Sequence, residues 1–295
     1  MGKLYVHIGL PKTATSTLQV ELFNKIVSEK LEYLGVQHPR DKKQDILYYK
    51  FMNSVNTGTE IEQTKSLLKH KLDKYDLLIS EEMLVVTSAS ITWREKLQNL
   101  SLILKGLDFS IIISVREPAS AMFSYYLELY AILKKRGSFL DIALKDDAMR
   151  IYYYKEFLSF CIDKFSKTRI NLIKFEDIIK NDITDITKII GYTPTKITFS
   201  NINSKILKNE KIITNSNINI SQLFMFVTRV LKLNKIRFLK RFKGLYKILL
   251  NKTKNIILKQ DKVNIVSTEV LDQIRIELKD QTDYLRDNYK IDYSI

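Results

Sequence analysis

The sequence predicts an α/β fold in which a central parallel sheet carries helices on both faces and a mostly helical C-terminal part follows. Three observations support this. Continuous apolar runs alternate with helical patterns over the first 200 residues, as in sheets buried on both faces. The composition, 45% hydrophobic and 27% charged with only eight Gly and four Pro, is that of a globular protein. From about residue 202 the pattern is helical. We therefore predict one domain over 1–295, with an α/β core in 1–200 and a mostly helical extension in 205–295.

The predicted elements follow in a regular order. "KLYVHIG" reads as a short buried strand, and a helical pattern runs from about Ser16 to Lys30. "EYLGV" is a short extended piece, and residues 41–75 are mostly helical. "YDLLISEEML" contains a strand over Leu77–Ser80, while "FSIIISVREP" gives the clearest strand, Ile111–Val115. "RINLIKFEDI" is a further strand leading into a helix. The repeated strand–helix order predicts parallel pairing with right-handed crossovers.

The composition excludes several classes of protein. A single cysteine, Cys161, cannot form an intramolecular disulfide, and with three histidines in the chain it argues against a structural zinc site. No run of ~18 apolar residues occurs that could span a membrane. The N-terminus "MGKLYVHIGLPK" lacks the features of a signal peptide, which favours a cytoplasmic location. The formal net charge of +15 favours anionic partners.

The stretch "HIGLPKTATSTLQ" predicts an anion-binding loop after the first strand. Ligands of parallel α/β sheets lie at the carboxyl ends of the strands, where a helix N-terminus offers free N–H groups. Lys12 adds a charge, and four hydroxyls follow it. The loop is not a G-x-x-x-x-G-K-[ST] phosphate loop, because proline precedes the lysine. The alternative is a Ser/Thr-rich helix cap.

A second constellation, "VREPASAMFS", follows the clearest strand. Arg116 ends the strand, and Ser124 lies eight residues on, about two turns into a helix that begins near Pro118. The spacing can place a guanidinium fork and a hydroxyl on one phosphate. The alternative is a surface Arg–Glu turn with a serine on a solvated helix face.

The two motifs together resemble those of sulfotransferases that use 3′-phosphoadenosine 5′-phosphosulfate (PAPS). "PKTATSTLQ" is similar to their 5′-phosphosulfate loop, roughly P-K-[TS]-G-T-[TS]-x-L, and "VREPASAMFS" to the R-x-P and serine that bind the 3′-phosphate. "LIKFEDIIKND" and "DQTDYLRDNYKID" agree more weakly with the family. Ala14 stands where the family has glycine and tolerates a positive φ poorly, so the loop is either helical there already or slightly strained.

The resemblance implies a P-loop NTPase-like sulfotransferase fold, a nucleotide-binding core in 1–200, PAPS as donor, the desulfated product PAP, and no metal. The residues that it implies for cofactor binding are Pro11, Lys12, Thr13, Ala14, Thr15, Ser16, Thr17, Arg116 and Ser124.

Sulfuryl transfer to a hydroxyl also needs a group that stabilises the leaving phosphate and a general base. Lys12 is the candidate for the first role. For the base the resemblance implies Glu82, which follows the "LLIS" strand and matches the glutamate of an S-S-E-x-L pattern in related bacterial sequences, with Glu81 and His38 as alternates. The alternative is that Glu81 and Glu82 are a solvated pair that caps the next helix. Because side chains alternate along a strand, only one of the two adjacent acids is expected to face the loop. His7, inside the first strand, is interpreted as structural or as a wall of the site.

The family habit implies a hydroxyl of a carbohydrate or glycolipid, at a bacterial cell surface, as the acceptor. Residues 212–260, the basic segment, hold eleven Lys/Arg and no Asp or Glu. They suggest a core-packing helix with a basic face, a helix resting peripherally on the anionic inner face of the cytoplasmic membrane, or a groove for an acidic glycan. The alternative functions are a P-loop-type kinase and a non-catalytic basic protein that binds nucleic acid or membranes. No nucleic-acid-binding motif is present, so nucleic acid is the less favoured partner. The oligomeric state is left open.

Overall fold

A computed structural model describes residues 2–36, 44–192, 194 and 266–293. Its centre is a sheet of five parallel strands in the order β2-β3-β1-β4-β5, which confirms the predicted α/β fold. The strands are β1 (Leu4–Gly9), β2 (Leu31–Tyr33), β3 (Asp76–Glu81), β4 (Phe109–Val115) and β5 (Ile170–Lys174).

Twelve α-helices surround the sheet in the described part of the chain. They are α1 (Thr15–Glu21), α2 (Ile46–Thr57), α3 (Ile61–Leu72), α4 (Trp93–Leu104), α5 (Pro118–Glu128), α6 (Tyr130–Leu133), α7 (Phe139–Lys145), α8 (Tyr154–Phe165), α9 (Phe175–Ile179), α10 (Thr184–Ile190), α11 (Thr268–Glu277) and α12 (Lys279–Tyr289). Among these residues no helix has the length and apolarity that a membrane span requires. His38 and the basic segment lie outside the described residues.

The core lies on both faces of the sheet, as expected for a parallel sheet covered by helices. Two apolar clusters form this core, a larger one on one face of the sheet and a smaller one on the other. Side chains alternate between them along β1, because Leu4, Val6 and Ile8 belong to the larger cluster and Tyr5 belongs to the smaller one. Helices α2 to α5 and α8 supply most of the larger cluster, whereas α1 and α10 cover the other face. This alternation has the period of two that a pleated strand imposes.

The first helix is shorter than the sequence predicts. The helical pattern suggested Ser16 to Lys30, but α1 ends at Glu21 and a 3₁₀ turn, Phe23–Lys25, follows. The side chain of Asn24 donates to the carbonyls of Gln19 and Val36, at 2.8 and 3.2 Å. Such side-chain bonds to the backbone compete with a continuing helix. The helix therefore ends at Glu21, although the apolar periodicity of the sequence continues beyond it.

The parallel register brings three strand ends to one edge of the sheet. Ile8 pairs with Glu81 of β3, and Gly9 pairs with Ser114 of β4. The segments that follow β1, β3 and β4 therefore start side by side. The sequence predicts the candidate site at this edge.

Candidate functional site

The loop between β1 and α1 has an unusual backbone. Lys12 and Ala14 have φ values of 66° and 65°, in the left-handed region that favours glycine. Ala14 is the N-cap of α1, with ψ at 20°. Of the two options that the sequence allowed at Ala14, the structure shows the strained one. A residue with a Cβ atom pays about 1–2 kcal/mol for this conformation.

Two threonines have different roles in the loop. The Thr13 hydroxyl donates to the carbonyl of Leu10 at 2.6 Å, so it closes the turn. Thr15 is buried beside Gly9, where an added Cβ would lie only 2.0 Å from the Thr15 hydroxyl oxygen. That oxygen has no hydrogen-bond partner in the described structure. A buried unsatisfied hydroxyl under such a loop is a group that a bound anion could satisfy.

His7 lies directly below this edge of the sheet and is fully buried. Its Nδ1 is 2.8 Å from the Ser80 hydroxyl on β3, and its Nε2 is 2.7 Å from the Ser114 hydroxyl on β4. Burial lowers the pKa of His7 to about 3, so the imidazole is neutral at physiological pH. The ring therefore links three strands, which is the structural position that the sequence suggested.

Arg116, the first residue after β4, joins the two predicted motifs. Its guanidinium donates to the carbonyl of Lys12 at 3.1 Å and lies 4.4 Å from the centre of the Phe175 ring. Burial lowers the pKa of Arg116, but a guanidinium starts so high that it stays charged. The predicted phosphate-binding arginine is thus in contact with the predicted phosphate-binding loop.

The side chain of Lys12 extends over helix α5. Its ammonium nitrogen is 3.2 Å from a carboxylate oxygen of Glu128, and both side chains are partly exposed. Glu128 lies four residues after Ser124, and residues at this spacing share one face of a helix. Lys12 therefore points to the face of α5 that carries Ser124, as a single site would require. Glu128 belongs to neither sequence motif, although its spacing from Ser124 was a usable signal.

The two acids after β3 have separate environments. Glu81 is buried; its carboxylate accepts hydrogen bonds from the Tyr48 hydroxyl on α2 and from the Met83 amide, the latter at 2.8 Å. The ammonium of Lys96 donates to the carbonyls of Met83 and Val86, at 2.9 and 2.7 Å. The backbone of Met83 is consequently held at both its N–H and its carbonyl, which fixes the chain next to Glu82.

Glu82 lies near two tyrosines, Tyr125 and Tyr152. Burial raises the pKa of Tyr125 to about 12, and the nearby carboxylate of Glu82 adds to this effect. Burial is also the main reason that the pKa of Tyr152 is raised, and the Glu82 carboxylate raises it further. The Tyr152 hydroxyl donates to the carbonyl of Pro11 at 2.7 Å, so this tyrosine connects the surroundings of Glu82 to the loop.

The remaining predicted site residues occupy less distinctive positions. Ser16 and Thr17 are partly exposed in the first turn of α1, and Pro11 is buried before Lys12. Within the described ranges no group of three or more His, Cys, Asp or Glu side chains is arranged to hold a metal ion.

Comparisons with known proteins give matches among solved structures only. No family model matches the chain, and no curated protein shows significant similarity to it. A sulfotransferase from Alicyclobacillus acidocaldarius aligns with 74% of this chain and 90% of its own, at 14% identity and a TM-score of 0.42. Mouse sulfotransferase SULT7A1, complexed with PAP, aligns with 66% of this chain and 61% of its own, at 15% identity and a TM-score of 0.37. Retinol dehydratase, in complex with androsterone and the inactive cofactor PAP, aligns with 99% of this chain and 82% of its own, at 11% identity and a TM-score of 0.35.

Two of these three structures are named as sulfotransferases, the family that the sequence motifs resemble, and two of the three contain PAP. Identities and TM-scores this low say nothing about chemistry, which has to be argued from the residues of the site.

Proposed function

We propose that this protein is a sulfotransferase that moves the sulfuryl group of PAPS to a hydroxyl of an acceptor. The observation that carries the proposal is the contact between the Arg116 guanidinium and the Lys12 carbonyl. It brings the arginine that follows β4 against the backbone of the loop that follows β1, which supports a single site for both motifs. A ligand with phosphates at two positions, such as a 3′,5′-bisphosphorylated nucleoside, can use both motifs at once.

The residues present fit such a donor. The Lys12 ammonium and the unsatisfied Thr15 hydroxyl would hold the 5′-phosphosulfate, with Ser16 and Thr17 at the start of α1 beside them. Arg116 and Ser124 would hold the 3′-phosphate. The donor supplies a sulfuryl group that is activated by its attachment to a phosphate leaving group.

Lys12 and Glu82 would carry the chemistry in an in-line displacement. A bond forms between the acceptor oxygen and sulfur while the bond from sulfur to the bridging phosphate oxygen breaks, and that oxygen keeps the electron pair. The Lys12 ammonium would stabilise the charge developing there. The Glu82 carboxylate would accept the proton of the acceptor hydroxyl. Lys96 and Glu81 support this role, because they hold the adjacent Met83 peptide in place.

Binding and turnover measurements test the proposal. Calorimetry should show tight binding of PAP and weak binding of ATP, and the enzyme should label an acceptor with sulfate from radioactive PAPS. Glu82→Gln should keep PAP binding and lose about 10²–10⁴-fold in turnover, as removal of a general base does. The matched control, Glu29→Gln, changes an exposed acid elsewhere and should keep full turnover.

Each contrary result has a specific meaning. Full turnover in the Glu82 variant would remove this residue as the base. Preferential binding of ATP with Mg²⁺ would favour the kinase alternative, and binding of nucleic acid without PAP binding would favour the non-catalytic one. Normal turnover in Lys12→Ala would contradict the whole assignment.

For the acceptor we propose a carbohydrate or glycolipid, which is supported by the family resemblance. A panel of bacterial glycans and lipid-linked sugars, incubated with labelled PAPS, tests this choice. We also propose that the basic segment contacts anionic membranes. Co-sedimentation with anionic but not neutral vesicles, reversed by salt, is the expected result, and equal binding to both would refute it.

A further inference from the structure

We propose that Tyr154 and Tyr293 are positioning residues for Arg116, so that the segment after α12, residues 290–293, belongs to the part of the site that recognises the 3′-phosphate. This inference rests on the proposed function. It concerns selectivity between nucleotides, and neither tyrosine is part of a motif that the sequence analysis identified.

Tyr154 holds the backbone of Arg116 from the side of helix α8. The side chain is fully buried. Its hydroxyl donates to the Arg116 carbonyl at 2.6 Å and accepts from the Arg116 amide at 3.1 Å. Arg116 lies just beyond β4, and the last paired residue of that strand is Val115. One hydroxyl thus satisfies both backbone polar groups of a residue that the sheet no longer pairs.

Tyr293 holds the preceding residue from the opposite end of the chain. Its hydroxyl donates to the carbonyl of Val115 at 3.0 Å. The segment itself is attached to β5, because the Lys174 ammonium donates to the Asp292 carbonyl at 2.9 Å and lies 4.9 Å from the centre of the Tyr293 ring. The end of the described chain is therefore fixed onto the ends of two neighbouring strands, one of which leads into Arg116.

An acidic side chain, Glu176, lies next to this arrangement. Its carboxyl group lies near both the Tyr293 hydroxyl and the Arg116 guanidinium. Burial raises the pKa of Glu176. The tyrosine that supports the strand end and the guanidinium therefore have the same acidic neighbour.

Together these contacts hold Arg116 in one orientation. The backbone is bonded on both sides, and the guanidinium lies between the Phe175 ring and the Lys12 carbonyl. A long side chain that is already ordered loses little freedom when it binds a phosphate. Two tyrosines that are distant from Arg116 in the sequence therefore contribute to the preference for a nucleotide that carries a 3′-phosphate.

The test compares PAP with AMP, which lacks the 3′-phosphate, in calorimetric titrations of the full chain. Tyr293→Phe and Tyr154→Phe should each reduce the preference for PAP over AMP about fivefold, the effect of losing a typical hydrogen bond, while AMP affinity stays unchanged. Tyr289→Phe removes a hydroxyl at the end of α12 and leaves Val115 and Arg116 untouched, so it should keep the wild-type preference.

The ratio of PAP affinity to AMP affinity distinguishes a positioning role from a loss of stability, because a loosened fold weakens the binding of both nucleotides. An unchanged ratio in a folded Tyr293→Phe protein overturns the inference, and this variant decides the matter if Tyr154→Phe does not fold. A wild-type protein without any preference for PAP would instead refute the proposed function, and the inference with it. A preference that falls equally in Tyr289→Phe would also overturn the inference.

Discussion

The buried His7 should make this protein lose stability in mild acid. Its two ring nitrogens bond to Ser80 and Ser114, and the side chain is fully buried. One nitrogen of the neutral ring donates and the other accepts, and a serine hydroxyl can take either role. Protonation would place an unpaired charge between three strands, for which the described surroundings offer only two hydroxyls. Such a charge is strongly disfavoured.

The magnitude follows from the difference in pKa between the folded and unfolded states. Burial lowers the pKa of His7 from 6.5 to about 3. Between these values the unfolded chain binds more protons than the native protein, so the free energy of unfolding rises with pH. The contribution is fully present above pH 6.5 and is lost as the pH falls towards 3. At pH 5, which lies ~1.5 units below the unfolded pKa, the loss is about 2 kcal/mol.

Urea unfolding at pH 7.5 and pH 5 measures this loss, with His7→Asn as the control that cannot titrate. The wild type should lose about 2 kcal/mol more than the variant between the two pH values. Glu176, whose pKa is raised by burial, works in the opposite direction but is present in both proteins. Since the chain has only three histidines, NMR titration can follow the His7 ring directly if the variant does not fold. An equal loss in both proteins, or a ring that titrates near pH 6.5 in the native state, would refute the reasoning.

Two further changes test the loop. Ala14→Gly should raise the free energy of unfolding by up to about 1 kcal/mol, because relief of the left-handed strain exceeds the extra entropy of the unfolded glycine chain. The control Ala121→Gly, inside helix α5, should lower the free energy of unfolding by about as much or more. Destabilisation by Ala14→Gly in thermal melts would contradict the strained geometry. Glu128→Gln should tighten PAP binding up to about fivefold, since the carboxylate competes with phosphate for Lys12 in a partly exposed ion pair. Weaker PAP binding in this variant would show that Glu128 assists the donor site.

The fold was largely predictable because its signals are local. The β-branched run of β4 and the stop at Arg-Glu-Pro identify the strand and the start of α5 at Pro118. Helix ends were less accessible. The end of α1 depends on side-chain bonds from Asn24 to carbonyls as distant as Val36, which apolar periodicity cannot indicate.

The site was predictable where a residue type and its distance from a strand end carried the information. Lys12, Arg116 and Ser124 could be identified in this way, and their roles stay predictions until donor binding is measured. The partners that hold the backbone beside Glu82 and Arg116 come from remote parts of the chain. Lys96 was hidden because it lies on the buried face of α4, where its ammonium reaches two carbonyls. Tyr293 was hidden because its contact with Val115 spans 178 residues.

The sequence by itself determined the order of strands and helices along the chain, the polar and basic residues of the loop after β1, and the arginine after β4. Each of these depends only on neighbouring residues. Only the tertiary structure decided that Glu81 is buried against Tyr48, whereas the carboxylate of Glu82 acts on Tyr125 and Tyr152. It also decided that Ala14 adopts a strained backbone, and that Arg116 is held by tyrosines from α8 and from the segment after α12. The physical reason is that such contacts depend on parallel register and on packing between remote segments, whereas a linear pattern records only the period of a single element.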